Sequence, residues 1–201
     1  GDGEQLVIQI GEHKVGPDYP PFLVAEIGIN HNGSIDDAVQ MIRLAKMAGA
    51  DAVKFQKRTP DICVPKDQWD KMRQTPWGER RYIDYKHDIE FNGREYDTIN
   101  HVCKEESILW FASVWDETAL EFIDHYDPPC FKIGSASLTD HALIDAVISK
   151  RRPVILSTGM STMEEIRRAV WTFNDDYPLI LCHSTSIYPC PLTQLNLRFI
   201  H

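Results

Sequence analysis

The chain has 201 residues, 43% of them hydrophobic, and 21 basic against 30 acidic side chains give a formal net charge of −9. That length can bury one full core, and the acidic balance argues against non-specific nucleic-acid binding, which depends on Lys and Arg neutralising phosphates. The cysteines at 63, 103, 130, 182 and 190 are odd in number and lack Cys-x-x-Cys spacing, which disfavours a disulfide framework or a zinc site and fits a reducing cytoplasm. Neither a charged-then-apolar leader nor an apolar stretch near ~20 residues is present, so neither secretion nor membrane spanning is expected.

In chain order, Leu6–Ile10 and His13–Val15 flank Gly11-Glu12, which predicts a hairpin within residues 1–20, read as a plug ahead of the main fold. Short apolar runs then recur at Phe22–Glu26, Ala50–Gln56, Ile108–Ser113, Cys130–Gly134, Pro153–Ser157 and Leu179–His183. Continuous rather than alternating apolar character marks strands buried on both faces of a parallel sheet. Helix-like periodicity follows most of them. After the first run, Ser34 with Asp37 reads as an acidic capping box, Ala38, Met41, Ile42 and Ala45 share a face, and Gly49 closes the helix. Ser161 with Glu164 reads as another box ahead of an inward face of Ile166, Ala169 and Val170, and Asp116 and Thr139 are further expected caps.

This alternation predicts an α/β fold: a TIM (β/α)8-type barrel over residues 21–201, incomplete at about six of its eight units, since a full barrel needs ~250 residues. An open barrel edge would expose unpaired backbone, so part of a longer protein is expected rather than a stable natural monomer. The connection 57–92, rich in Asp, Lys, Pro and Trp, is long enough to read as a lid or a partner contact. The tryptophans at 69, 77, 110, 115 and 171 read mostly as core or lid packing.

Chemistry concentrates at strand ends, where barrel active sites lie. Lys54 and Lys132 are candidate anion ligands; the alternatives are a buried Lys–acid pair for Lys54 and a solvated strand end for Lys132. Gly134 and Ser135, Ser157-Thr158-Gly159 and Ser184-Thr185-Ser186 add close-approach glycines and hydroxyls of the kind that cradle phosphate. Glu26 on a core strand is costly unless it serves a ligand or a cation, and its alternative is an ion pair with Lys54. Gln56 either orients the same ligand or makes a structural hydrogen bond. Asn30 and His31 lie before Asn32-Gly33, where a turn role competes with a functional one. His183 reads equally as metal ligand, proton donor or core histidine, and Tyr188 as loop packing or a sugar contact.

Ala25-Glu26-Ile27-Gly28-Ile29-Asn30-His31-Asn32-Gly33, Val53-Lys54-Phe55-Gln56, Lys132-Ile133-Gly134-Ser135, Leu156-Ser157-Thr158-Gly159-Met160 and His183-Ser184-Thr185-Ser186-Ile187-Tyr188-Pro189 occur in one order. Together they resemble the sialic acid synthase family over roughly residues 20–200. The resemblance implies condensation of phosphoenolpyruvate with an N-acetylated aminosugar aldehyde, giving a sialic-acid-like 3-deoxy-2-ulosonic acid and phosphate, with a divalent metal such as Mn2+ or Mg2+. It further implies that Lys54, Lys132, Ser135, Ser157 and Ser186 contact phosphoenolpyruvate, and that Glu26, Gln56 and Tyr188 lie near the sugar and the reacting centre. The family's metal ligands are two histidines on the seventh and eighth strands, beyond His201. A homodimer is implied too, because a C-terminal antifreeze-like domain, absent from this sequence, completes the sugar site from a partner subunit.

Ser137 stands where sialic acid synthases proper usually carry an acid, and Val114-Trp115 where a Thr-Pro pair is common. A related amino- or diamino-sugar is therefore as plausible a substrate as N-acetylmannosamine. Two other readings remain open. One is a Schiff-base keto-acid aldolase using Lys54 or Lys132. The other is a non-catalytic truncated barrel module.

Overall fold

The computed structural model describes residues 7–187 and 189–200. Two compact units divide the chain: residues 20–129, and residues 1–19 together with 130–201. The expected hairpin forms in the second of these, with β1 (Ile8–Ile10) antiparallel to β2 (His13–Val15) and Ile8 opposite Val15. Gly11 makes the turn at φ 59°, and Ile8 and Ile10 are buried while Gln9 between them is exposed. That alternation is what a strand with one buried face requires.

The unit 20–129 runs β3 (Val24–Gly28), α1 (Ile35–Met47), β4 (Ala52–Lys57), α2 (Pro60–Cys63), β5 (Met72–Thr75), β6 (Gly78–Arg81), α3 (Tyr82–Ile89), α4 (Gly93–Glu105), β7 (Leu109–Val114) and α5 (Glu117–Asp124). β4 pairs in parallel with β3 on one side and β7 on the other. Its central place explains its apolar character around Lys54: Ala52, Val53 and Phe55 have no exposed surface, whereas Leu23, just before β3, and Val24, its first residue, are exposed.

Ser34 caps α1 by accepting from the Asp37 N–H at 3.2 Å, and α4 carries a full capping box of Asn92 and Glu95. Ala38, Ile42 and Ala45 are buried on α1, and Gly49 follows its end at φ 88°. The connection 57–92 is not an irregular loop. It holds α2, the β5–β6 hairpin and α3, and the Trp69 indole donates to the Val64 carbonyl at 2.8 Å.

The remaining elements are β8 (Phe131–Ile133), α6 (His141–Ser149), β9 (Val154–Ser157), α7 (Met163–Thr172) and β10 (Leu179–Cys182), with β9 parallel to both β8 and β10. Two expected caps move by one residue. Asp140, not Thr139, caps α6 by accepting from Leu143 N–H, and the box on α7 is Thr162 with Glu165 rather than Ser161 with Glu164. A capping residue needs extended backbone with its oxygen aimed at the third amide, and Thr162 has it at φ −75°, ψ 159°. The Ser161 hydroxyl instead donates to the Gly159 carbonyl at 3.2 Å. Of the α7 face only Ala169 is fully buried; Ile166 and Val170 are half-buried.

Trp110 packs into an aromatic core with Phe55, Tyr96 and Tyr126. Trp171 departs from the packing expectation at 82% exposed, because it lies on the outer face of α7. All five cysteines are free thiols. Among the described residues no helix is long and apolar enough to cross a membrane.

Candidate active site

In the unit 20–129 the site begins at Lys54, which β4 delivers among apolar neighbours at only 8% exposure. Its ammonium donates to the Ser113 hydroxyl at 2.5 Å and to the Phe55 carbonyl at 3.2 Å, and lies 3.1 Å from Glu26 Oε1. Register explains the contacts. Glu26 is the direct partner of Lys54 across β3–β4, and Ser113 on β7 stands two residues beyond the lysine's own partner Phe111, on the same face. Desolvation pulls the Lys54 pKa below its ordinary value, and the Glu26 carboxylate opposes that shift.

Glu26 corrects one premise. Its side chain is 58% exposed, so it bears little of the burial cost expected of a core-strand carboxylate, and the ion pair with Lys54 is the contact that holds it. Gly28 makes room for it: a Cβ there would stand 2.9 Å from Glu26 Oε1, and the glycine sits at φ 54° after an irregularity in β3. Gln56 turns its amide toward Arg58 and its backbone carbonyl accepts the Tyr96 hydroxyl at 3.2 Å. Ser113 was not singled out from sequence. The available signal was that Lys54 followed by a strand ending in Ser113 repeats Lys132 followed by a strand ending in Ser157.

In the other unit that second pair has the same geometry. The Lys132 ammonium donates to the Ser157 hydroxyl at 2.5 Å and to the Ile133 carbonyl at 3.2 Å, and Ser157 lies two residues beyond the lysine's partner Ile155. Ser135 Oγ accepts from the Gly159 amide at 2.9 Å. Gly159 is packed so closely that a Cβ would lie 2.9 Å from Ser186 Oγ, 3.0 Å from Ser135 Oγ and 3.2 Å from Ser184 Cβ. The structure thus gathers Ser135, Ser184 and Ser186 around one glycine and ties Ser157 to Lys132. A cation with clustered hydroxyls is a donor set suited to a multiply charged oxyanion.

Asn30 and His31 take the turn role. The Asn30 N–H donates to Ile27 O, Ser34 N–H to His31 O, and Asn32 and Gly33 adopt positive φ of 49° and 75°. His31 is buried, stacked 3.9 Å from Phe91, and its Nδ1 accepts the Gly33 N–H at 3.0 Å. Burial lowers its pKa to about 4, so the ring is a neutral structural acceptor at physiological pH. His183 is exposed just after β10. Among the described residues no three His, Cys, Asp or Glu side chains come together, so these donors do not by themselves build a divalent-metal site. Tyr188 lies outside the described residues.

Parallel strands that carry lysine and serine, with glycines just beyond them, define an α/β protein whose candidate site lies toward the strand termini. Over residues 41–201 the chain matches the NeuB family, and it belongs to that family. It is 34% identical over 191 residues to N-acetylneuraminate-9-phosphate synthase of Homo sapiens, which covers 92% of this chain and 52% of the relative. With pseudaminic acid synthase of Campylobacter jejuni it shares 31% identity over 197 residues, 96% of this chain and 57% of the relative. The solved N-acetylneuraminic acid (sialic acid) synthetase of Leptospira borgpetersenii, in complex with citrate, superposes with a TM-score of 0.86 at 28% identity, covering 98% of this chain and 65% of that one. That likeness bears out the α/β, TIM-type fold class. The chain spans about half the length of the curated relatives it matches.

Proposed function

We propose that the chain serves a sialic-acid-synthase-type transfer: phosphoenolpyruvate condenses with an N-acetylated aminosugar aldehyde to give a 3-deoxy-2-ulosonic acid and phosphate. The observation that carries this reading is the repeated strand lysine, Lys54 and Lys132, each bound to a serine at 2.5 Å. In the reaction C3 of phosphoenolpyruvate attacks the aldehyde carbon, whose oxygen takes a proton to become a hydroxyl. Water then adds at C2, and phosphate departs with its bridging oxygen. In each unit the lysine supplies positive charge for an anionic group of the substrate, and beside Lys132 the hydroxyl of Ser157 together with those of Ser135 and Ser186 at Gly159 supply donors. The role assigned to Glu26, exposed beside Lys54, is to hold or move a proton at the reacting centre.

A divalent cation, the cofactor the resemblance implies, would polarise the aldehyde oxygen when bound; the described residues gather no three donors that would hold it. Ser137, buried where sialic acid synthases proper usually carry an acid, favours an amino- or diamino-sugar other than N-acetylmannosamine. We assign the protein to the cytoplasm on its five free thiols and expect a homodimer, to be read by sedimentation.

The Schiff-base alternative draws on the lowered Lys54 pKa. Against it, the ammonium is held by a hydroxyl, a carbonyl and a carboxylate, all of which favour its protonated form. Calorimetric titration of phosphoenolpyruvate into the protein and its Lys54→Ala variant, each with and without manganese, tests the proposal. Binding should be lost in the variant; equal binding by both would sink the assignment. Borohydride trapping of a pyruvate adduct would establish the aldolase instead.

A further inference from the structure

We propose that Arg58 is a positioning residue that fixes the amide of Gln56 so that its NH2 group, not its oxygen, is presented to the ligand. This rests on the synthase reading and deepens it. Gln56 lies two residues after Lys54 on β4, so both side chains leave the same face of the strand. The Gln56 amide meets the Arg58 guanidinium, with Arg58 Nε 3.0 Å away and a second contact to Nη2. A guanidinium has five donors and no acceptor, so the amide atom turned toward it must be the oxygen. Both N–H donors of Gln56 are then directed away from Arg58.

Arg58 is itself held on several sides. Its guanidinium carbon lies 4.1 Å from the centre of the Trp115 ring, and its Nε is 3.9 Å from Glu90 Oε1. Glu90 is almost wholly buried and also receives the Arg58 backbone N–H at 3.4 Å and the Lys57 ammonium at 3.5 Å. Lys57 in turn donates to the Phe91 carbonyl at 2.7 Å. Glu90 Oε1 has no hydrogen-bond partner of its own, so the carboxylate depends on these cations for compensation. The final residues of the connection 57–92 therefore brace the arginine that orients a side chain on the candidate catalytic strand. That gives the connection a chemical task.

With its oxygen committed to Arg58, Gln56 recognises an acceptor: a carboxylate, phosphate or carbonyl oxygen of the ligand. A lysine at position 58 would keep the charge beside Glu90 but lose the planar fork that holds the amide. The test has two arms, applied to the protein and to its Arg58→Lys, Arg58→Ala, Gln56→Ala and Arg58→Lys/Gln56→Ala variants. The first is the side-chain NH2 resonance pair of Gln56 in a nitrogen-15 spectrum, identified as the pair missing from Gln56→Ala. We expect that pair to shift or broaden in Arg58→Lys. The second is phosphate release, where Arg58→Lys should cost about tenfold in kcat/KM alone and nothing further in the Gln56→Ala background.

An unmoved amide pair in both Arg58 variants overturns the proposal, as do losses that multiply in the double variant. The resonance arm reads the clamp whether or not the protein turns over. Absence of phosphate release from the unsubstituted protein would therefore count against the synthase reading, separately from the clamp.

Discussion

Lys54 and Lys132 sit in different units yet follow one construction: a strand lysine bound to a serine on the neighbouring strand, two residues past its own register partner. They differ in what surrounds that bond. Lys54 is buried and shares its site with the Glu26 carboxylate, whereas Lys132 is half-buried and bound to Ser157, two residues before a glycine ringed by Ser135, Ser184 and Ser186. The contrast teaches that one geometric device can serve two electrostatic tasks. A desolvated ammonium beside a carboxylate suits proton and charge management, and an ammonium among hydroxyls suits holding a tetrahedral anion.

The largest test of this contrast is a matched pair of substitutions. Lys54→Met should abolish measurable phosphoenolpyruvate binding and lower turnover about a thousandfold while leaving the thermal midpoint unchanged or higher, since it removes a desolvated cation. Lys132→Met should instead weaken phosphoenolpyruvate binding about a hundredfold. Phosphate-release kinetics and calorimetry read the two, and equal losses of the same parameter would erase the distinction. Next in size is Gly159→Ala. Its Cβ would meet Ser184 Cβ at 3.2 Å as well as two hydroxyls, and we expect about a tenfold loss of affinity for inorganic phosphate. The Lys54 site should not respond, as the alkaline limb of its titration would show.

Ser113→Ala and Ser157→Ala remove the paired acceptors and should each cost about fivefold, Ser113 in turnover and Ser157 in binding. The smallest expected effect is a pH shift in Glu26→Gln. Desolvation lowers the Lys54 pKa and the carboxylate opposes it, so the glutamine variant should lose phosphoenolpyruvate binding at a lower pH than the unsubstituted protein. A lysine whose folded pKa is depressed binds fewer protons folded than unfolded, so its stability contribution rises as pH climbs toward 10.5. Glu26→Gln should extend that window downward. An unmoved alkaline limb would show that Glu26 does not tune Lys54.

Local chemistry was legible where one residue decides the outcome. The apolar runs foretold all six parallel strands to within about two residues; burial on both faces is the cause in β7 and β9, while β3 and β10, where Val24 and Leu181 are exposed, were marked by apolar composition alone. Caps were legible in position at Ser34 and Asp116, but elsewhere only as chemistry: Ser161 and Thr162 are equally able to cap, and backbone angle chose Thr162. The Glu26–Lys54 pair was foreseen as one of two alternatives, since an acid and a base near matching strand ends meet if the register agrees. Glu26's exposure was not foreseen, because it depends on β3 having β4 as a neighbour on one side and a glycine opening beside the carboxylate.

By itself the sequence determined which residues carry charge, which runs are apolar enough to become strands, and that Asn32-Gly33 makes a turn. Tertiary structure alone decided that Ser113 serves Lys54, that Ser135 and Ser186 converge on Gly159, and that Arg58 turns the Gln56 amide. The reason is physical. Propensity and periodicity act over a few residues, whereas these contacts join positions brought together by strand register, packing and connections that no local pattern encodes.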